Sequence, residues 1–174
     1  YIDEDIALGH RRLSIIDVSE AGTQPLYSED GNLALLFNGE IYNYQEIRAR
    51  LIEAGYHFAT QTDSEVLIYG YQEYGADLLQ QLRGMFSFVI WDKREKKLFG
   101  ARDFFGIKPF YYTIANGNLI YASEIKAILA HPDVRKEVNP IALENYLTFQ
   151  YSVLEETFFK GIFKLMPAHC FTFK

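Results

Sequence analysis

Apolar positions along this chain fall into two patterns, short dense runs and helix-spaced sets, and each predicts its own kind of element. The run from Leu33 to Leu36 predicts a strand over 32–37. Asn38-Gly39-Glu40 then predicts a glycine turn, with a helix beginning near Tyr44. Ile47 and Leu51 stand one helical turn apart within 46–54, and Gly55 stops that helix. A second helix is predicted over 64–74, with Val66, Leu67, Gly70 and Tyr71 on its buried side and Gly75 at its end. Leu78, Leu79 and Leu82 predict one more short helix before Gly84.

The period then changes. Residues 85–92 form a dense apolar run, 93–97 a charged turn, and 98–102 a returning strand. Residues 110–114 and 118–122 predict a hairpin joined through Ala115-Asn116-Gly117. A helix over 124–130 is stopped by Pro132, and Asn139 caps a last helix that has Pro140 at its first position and runs to about Thr148. Residues 170–173 predict a final strand. Residues 11–17, with Leu13, Ile15 and Ile16 apolar, predict a short one before a loop through Gly22 and Pro25. Hairpins beside separate helices predict the α+β class, with helices packed on antiparallel sheet.

Composition narrows the function more than the fold. The 174 residues suit one domain, 1–174, and no internal repeat or linker divides them. The net charge of −6 argues against a nucleic-acid surface. No apolar run reaches the length of a membrane span, and the start shows no signal-peptide pattern. A single Cys excludes an internal disulfide framework, fits a reducing compartment and makes the cytoplasm the expected location. Tyr1 without a preceding Met predicts a fragment or processed product.

Candidate chemistry is sparse. His169 and Cys170 are adjacent, and on a strand they point to opposite faces, so they do not make a nucleophile–base pair. Cys170 is expected to be a small buried hydrophobe. His10, His57 and His131 are isolated, so no metal site is expected. Asp3-Glu4-Asp5 reads as a solvated surface turn, and no glycine-rich phosphate loop is present. Asn38 and Gly39 remain. An Asn amide and a Gly N–H at one point can hold a developing oxyanion, although the same dipeptide is a common tight turn.

Six segments share one order with a known family. They are Leu8-Gly9-His10-Arg11-Arg12-Leu13-Ser14-Ile15-Ile16-Asp17, Asn38-Gly39-Glu40-Ile41-Tyr42-Asn43, Thr62-Asp63-Ser64-Glu65-Val66-Leu67, Arg83-Gly84-Met85-Phe86-Ser87-Phe88, the run from Ala101 to Tyr112, and Ala122-Ser123-Glu124-Ile125-Lys126-Ala127. Together they resemble the class II glutamine amidotransferase domain of glutamine-hydrolysing asparagine synthetase, over essentially the whole chain. The tail from Phe159 to His169 resembles the family's exit toward its synthetase domain.

The resemblance implies a four-layer αββα sandwich of two antiparallel sheets between helical layers, the N-terminal nucleophile hydrolase fold. It implies glutamine hydrolysis by an N-terminal Cys whose α-amine is the base. Asn38 and Gly39 match the oxyanion hole, and Arg12 matches the clamp on the glutamine α-carboxylate. Asp63 matches the partner of the α-ammonium group, with Glu40 nearby, and backbone along Arg12, Leu13, Ser14, Ile15 and Ile16 completes the amino-acid pocket. No cofactor is expected in this domain. ATP and magnesium belong to a C-terminal synthetase domain that activates aspartate. L-glutamine and that domain are the expected partners, with a homodimer as an option.

Taken alone, these residues have plainer readings: Arg12 as a surface cation, Asp63 as a helix N-cap, Arg102 and Asp103 as a structural ion pair or strand-end turn. Lys108 is likewise read as structural. The family's N-terminal Cys and its strand are absent, so the chain is expected to be truncated at its N-terminus, inactive alone and prone to aggregation. Ala168 stands where the family usually has Gly. Two alternatives stay open: an amidotransferase domain serving another acceptor, and a nucleophile-less domain that binds glutamine or only packs.

Overall fold

The structure, a computed structural model, describes residues 1–11, 23–152 and 154–174. It is an α+β chain with two antiparallel sheets and separates into two compact units, Tyr1–Ala101 with Phe171–Lys174 and Arg102–Cys170. The predicted strand over 11–17 falls largely outside the described residues.

The five-stranded sheet holds β1 (Leu26–Tyr27), β2 (Leu33–Ile41), β3 (Gly84–Asp92), β4 (Lys97–Arg102) and β8 (Cys170–Phe173), in the spatial order β1-β2-β3-β4-β8. β2 lies antiparallel to both β1 and β3. Leu33, Leu35 and Phe37 join one core with Phe86, Phe88 and Ile90. Ala34 and Leu36, which point the other way, are buried as well. Burial on both faces explains why these strands read as continuous apolar runs and not as alternation.

Helix α1 (Tyr44–Glu53) buries Ile47 and Leu51, and α2 (Glu65–Tyr74) buries Val66, Leu67 and Ile68 into that same core. A 3-10 helix over Gly75–Gln81 follows and buries Leu78. An added Cβ on Gly70 would lie 2.6 Å from Leu78 Cδ1, so a bare backbone there lets the two segments close.

The second unit holds β5 (Tyr111–Ala115), β6 (Asn118–Ala122) and β7 (Phe163–Lys164), ordered β6-β5-β7 and antiparallel. Asn116 and Gly117 join β5 to β6 with φ of 51° and 82°, so the turn is two residues long and Ala115 belongs to the strand. Helix α3 (Ile125–Ile128) is a single turn, shorter than the 124–130 expected. Helix α4 (Pro140–Phe149) is capped as predicted. Asn139 Oδ1 accepts from the Ile141 and Ala142 amides at 3.2 and 3.3 Å.

Arg102 and Asp103 organise the turn after β4. The guanidinium donates to the carbonyls of Gly106, Lys108 and Leu165 at 2.6–2.7 Å. The buried Asp103 carboxylate accepts from the amides of Phe105, Ile107 and Lys108 at 2.9–3.1 Å. Both residues are therefore structural, as read, but through backbone groups. Cys170 corrects its expectation. It is exposed, at the first position of β8, the edge strand.

Candidate active site at the end of strand β2

The Asn38-Gly39 pair is not a turn. β2 continues through it to Ile41, with Asn38 opposite Ser87, Gly39 opposite Phe86 and Glu40 opposite Met85. Nine consecutive pairings with β3 outweigh the local preference of two residues for a bend. The glycine is needed for a different reason. An added Cβ on Gly39 would sit 2.1 Å from Met85 O and 2.7 Å from Phe86 Cα. Across the strand pair, a Cβ on Gly84 would sit 2.2 Å from Glu40 O. The two backbones touch here, and only glycine permits the contact at both places.

The strand end is fixed from several sides. Gln24 acts as one residue of an added strand: its Nε2 donates to Phe37 O at 2.9 Å, and its Oε1 accepts from Phe37 N–H at 2.6 Å. Asn43 donates from Nδ2 to Gln81 O and accepts at Oδ1 from Arg83 N–H, both at 2.9 Å. That amide ties the start of α1 to the start of β3. Asn38, Gly39 and Glu40 are left half-buried between the buried Phe37 and Ile41.

Asp63 comes to this same end. Its Oδ2 accepts from Ile41 N–H at 2.8 Å, and the residue is only 7% exposed. Burial pushes its carboxyl pKa up, and the neighbouring Glu40 charge pushes the same way against the Ile41 hydrogen bond. Among the described residues no cation pairs with it. Asp63 does not cap α2. Ser64 holds that position without a side-chain capping bond. A desolvated carboxylate of this kind favours a cationic ligand, which would compensate both its burial and its like-charged neighbour.

Of the residues singled out in the sequence, the fold thus brings Asn38, Gly39, Glu40 and Asp63 together. Arg12, Leu13, Ser14, Ile15 and Ile16 lie outside the described residues. Gln24, Asn43 and Glu65 were missed. Gln24 and Asn43 act across 13 and 38–40 positions, so no local pattern could have marked them. Glu65 carries a local signal, a Thr60-x-Thr62-x-Ser64-Glu65 cluster of small hydroxyls beside one acid. Among the described residues no group of His, Cys, Asp or Glu is placed to hold a metal ion, and no helix is long and apolar enough to cross a membrane.

Asn38, Gly39 and Glu40 thus stand beside the buried Asp63 carboxylate on an α+β frame of antiparallel sheets. Comparison with known proteins specifies the class. The family model described as a glutamine amidotransferase domain matches residues 1–174. Asparagine synthetase (glutamine-hydrolyzing) 1 of Bacillus subtilis is 46% identical over 99% of this chain and 27% of its own length. Amidase chry2 of Gibberella zeae is 39% identical over 94% of this chain and 24% of its own. Among solved structures, the glutamine phosphoribosylpyrophosphate amidotransferase of B. subtilis, complexed with ADP and GMP, superposes with a TM-score of 0.58 and 26% identity. That match covers 68% of this chain and 28% of the other. The chain belongs to the glutamine amidotransferase domain family, and its fold class is that of the N-terminal nucleophile hydrolases. It spans about a quarter of the length of the curated relatives it matches.

Proposed function

We propose that this domain hydrolyses glutamine within a larger parent enzyme, which uses the ammonia to convert aspartate to asparagine. One observation carries the reading. The donors Asn38 and Gly39, with Glu40, share one end of β2 with the buried Asp63 carboxylate, joined through Ile41. In this reading Asp63 holds the glutamine α-ammonium group, with Glu40 adding negative potential. Arg12 clamps the α-carboxylate, and backbone along residues 12–16 closes the pocket. The nucleophile is an N-terminal Cys of the parent, activated by its own α-amine. Cys170 does not serve, since it sits inside the chain on an exposed edge strand and has no free amine. Attack on the glutamine δ-carbon places negative charge on oxygen, which the Asn38 amide and Gly39 N–H stabilise.

The synthetase part of the parent would supply ATP and magnesium chemistry, and the cytoplasm is the compartment this implies. The 46% identity to an asparagine synthetase supports aspartate as acceptor. A second reading, transfer to a different acceptor, is favoured by the 39% identity to an amidase. Assay of the full-length parent separates them: asparagine formed from aspartate, glutamine and ATP supports the first, and glutaminase activity without asparagine supports the second. Asn38→Ala should lower glutamine-dependent turnover by about 100-fold. Ammonia-dependent synthesis should stay within about twofold, since an oxyanion-hole donor acts only on the glutamine step. Equal loss of both activities would refute the assigned role.

A further inference from the structure

Two residues after Asp63 a second buried acid turns away from the site. Glu65 opens α2 and is 3% exposed. Its Oε1 accepts from Ala59 N–H at 2.8 Å, and its Oε2 accepts from Thr60 N–H at 2.8 Å and from the Thr60 hydroxyl at 2.6 Å. The chain of small hydroxyls continues from there. Thr60 Oγ1 lies 2.8 Å from Thr62 Oγ1, and Ser64 Oγ donates to Thr62 Oγ1 at 3.0 Å. From the outside, Arg48 donates to Thr60 O at 2.8 Å and lies 4.5 Å over the Phe58 ring. Segment 59–64 is thus closed around a single carboxylate, and that segment carries Asp63.

We propose that Glu65 is the positioning residue for Asp63, and through it sets the affinity for the glutamine α-ammonium group. The inference rests on the proposed function above. Its physical basis is that Asp63 is held to β2 by a bond to Ile41 N–H, while the path of the loop that delivers it is set by Glu65. Three donors converge on two oxygens, so a carboxylate is required. In a glutamine at this position one oxygen becomes an NH2 group that faces a donor, whichever way the amide is turned. Glu65→Gln keeps the volume of the side chain and breaks the lock.

The experiment is steady-state kinetics of the full-length parent with Asp63→Asn, Glu65→Gln and the double variant. Ammonia-dependent synthesis is measured in parallel. We expect Glu65→Gln to raise the glutamine KM about tenfold, the scale of a lost charge-assisted hydrogen bond, with kcat changed by less than about twofold. Ammonia-dependent synthesis should be unchanged, and the double variant should be no worse than Asp63→Asn alone. A role in packing alone would lower thermal stability or all activities together, without this KM–kcat split. A glutamine KM within about twofold of wild type for Glu65→Gln overturns the inference, as does additivity with Asp63→Asn. In either case an effect of Asp63→Asn alone leaves the proposed function standing. Absence of glutamine hydrolysis in the wild-type parent, or of any KM effect from Asp63→Asn, overturns the functional reading and the inference together. Should Glu65→Gln not fold, Thr60→Val removes one donor to the carboxylate at constant shape. It is expected to raise KM about threefold, and an unchanged KM overturns the inference.

Discussion

Asn-Gly occurs twice in this chain, and the two pairs do opposite things. Asn116-Gly117 joins β5 to β6 with φ of 51° and 82°, left-handed at both residues, as a two-residue hairpin turn requires. Asn38-Gly39 lies inside the nine-residue β2, paired residue for residue with β3. In the hairpin, glycine supplies a backbone conformation, and an added Cβ would meet nothing within 4 Å. In the strand, at φ of 158°, it supplies above all the absence of a side chain, because a Cβ would meet Met85 O at 2.1 Å. One dipeptide therefore encodes a turn where its flanking strands pair with each other, and an extended site where a distant strand pairs with it.

Alanine substitution should separate the two glycines sharply. Gly39→Ala drives a methyl into backbone that has no room to move. It should cost about 3 kcal/mol or more, enough to remove the cooperative melt of a marginal domain. Calorimetry on the parent checks this, and a stability change below about 1 kcal/mol would mean that the β2–β3 contact is looser than described.

Asp63→Asn tests what the end of β2 is for. The amide can still accept from Ile41 N–H, so glutamine KM should rise about tenfold or more from the lost charge while the fold survives. The sign of the stability effect follows from burial. The folded-state carboxyl pKa is raised above the ordinary 3.8. This stabilises the fold while the group is protonated, below that ordinary value, and the advantage is lost as pH rises through the folded pKa. At neutral pH the buried charge is a cost, so Asp63→Asn should melt at or above the wild-type temperature. Wild-type kcat/KM for glutamine should fall on an acid limb displaced upward from the ordinary aspartate value, and the variant should lack that limb.

The smallest effects belong to the second unit. Gly117→Ala forces an L-residue into φ of 82° and should cost about 1 kcal/mol, with no change in glutaminase activity. Ala168 presents the reverse case. It is held at φ of 59°, where its amide donates to Asp103 O at 2.9 Å, so Ala168→Gly should stabilise by up to about 1 kcal/mol. Thermal melts of the two variants should shift in opposite directions, and shifts of the same sign would remove glycine's φ freedom as the explanation for the turn.

Much of this was legible beforehand because it is local. Asn139-Pro140 predicted the start of α4 through capping and fixed φ, and both act within four residues. The apolar runs at 33–37 and 85–92 predicted the central strands, since burial on both faces leaves no polar position to interrupt them. Periodicity reached only the α+β class, and the order of six motifs supplied the family and the names of the site residues. Where the reading went wrong, the cause was distant. Asn38-Gly39 reads locally as a turn because its strand partners, Ser87 and Phe86, lie 49 and 47 positions away in sequence. Cys170 was assigned to the interior because nothing in its neighbours states that β8 is an edge strand.

By itself, then, the sequence determined which segments are strands and helices, and which polar residues are candidates for binding glutamine. Local capping and apolar runs along a few consecutive residues suffice for the first, and the resemblance carried by six ordered motifs supplied the second. Only the tertiary structure decided that Gly39 is there for want of a Cβ, that Asp63 meets Ile41, and that Gln24 and Asn43 hold the strand end. Each of these depends on atoms brought within 3 Å across 13 to 47 positions of chain, a distance over which local preference carries no information.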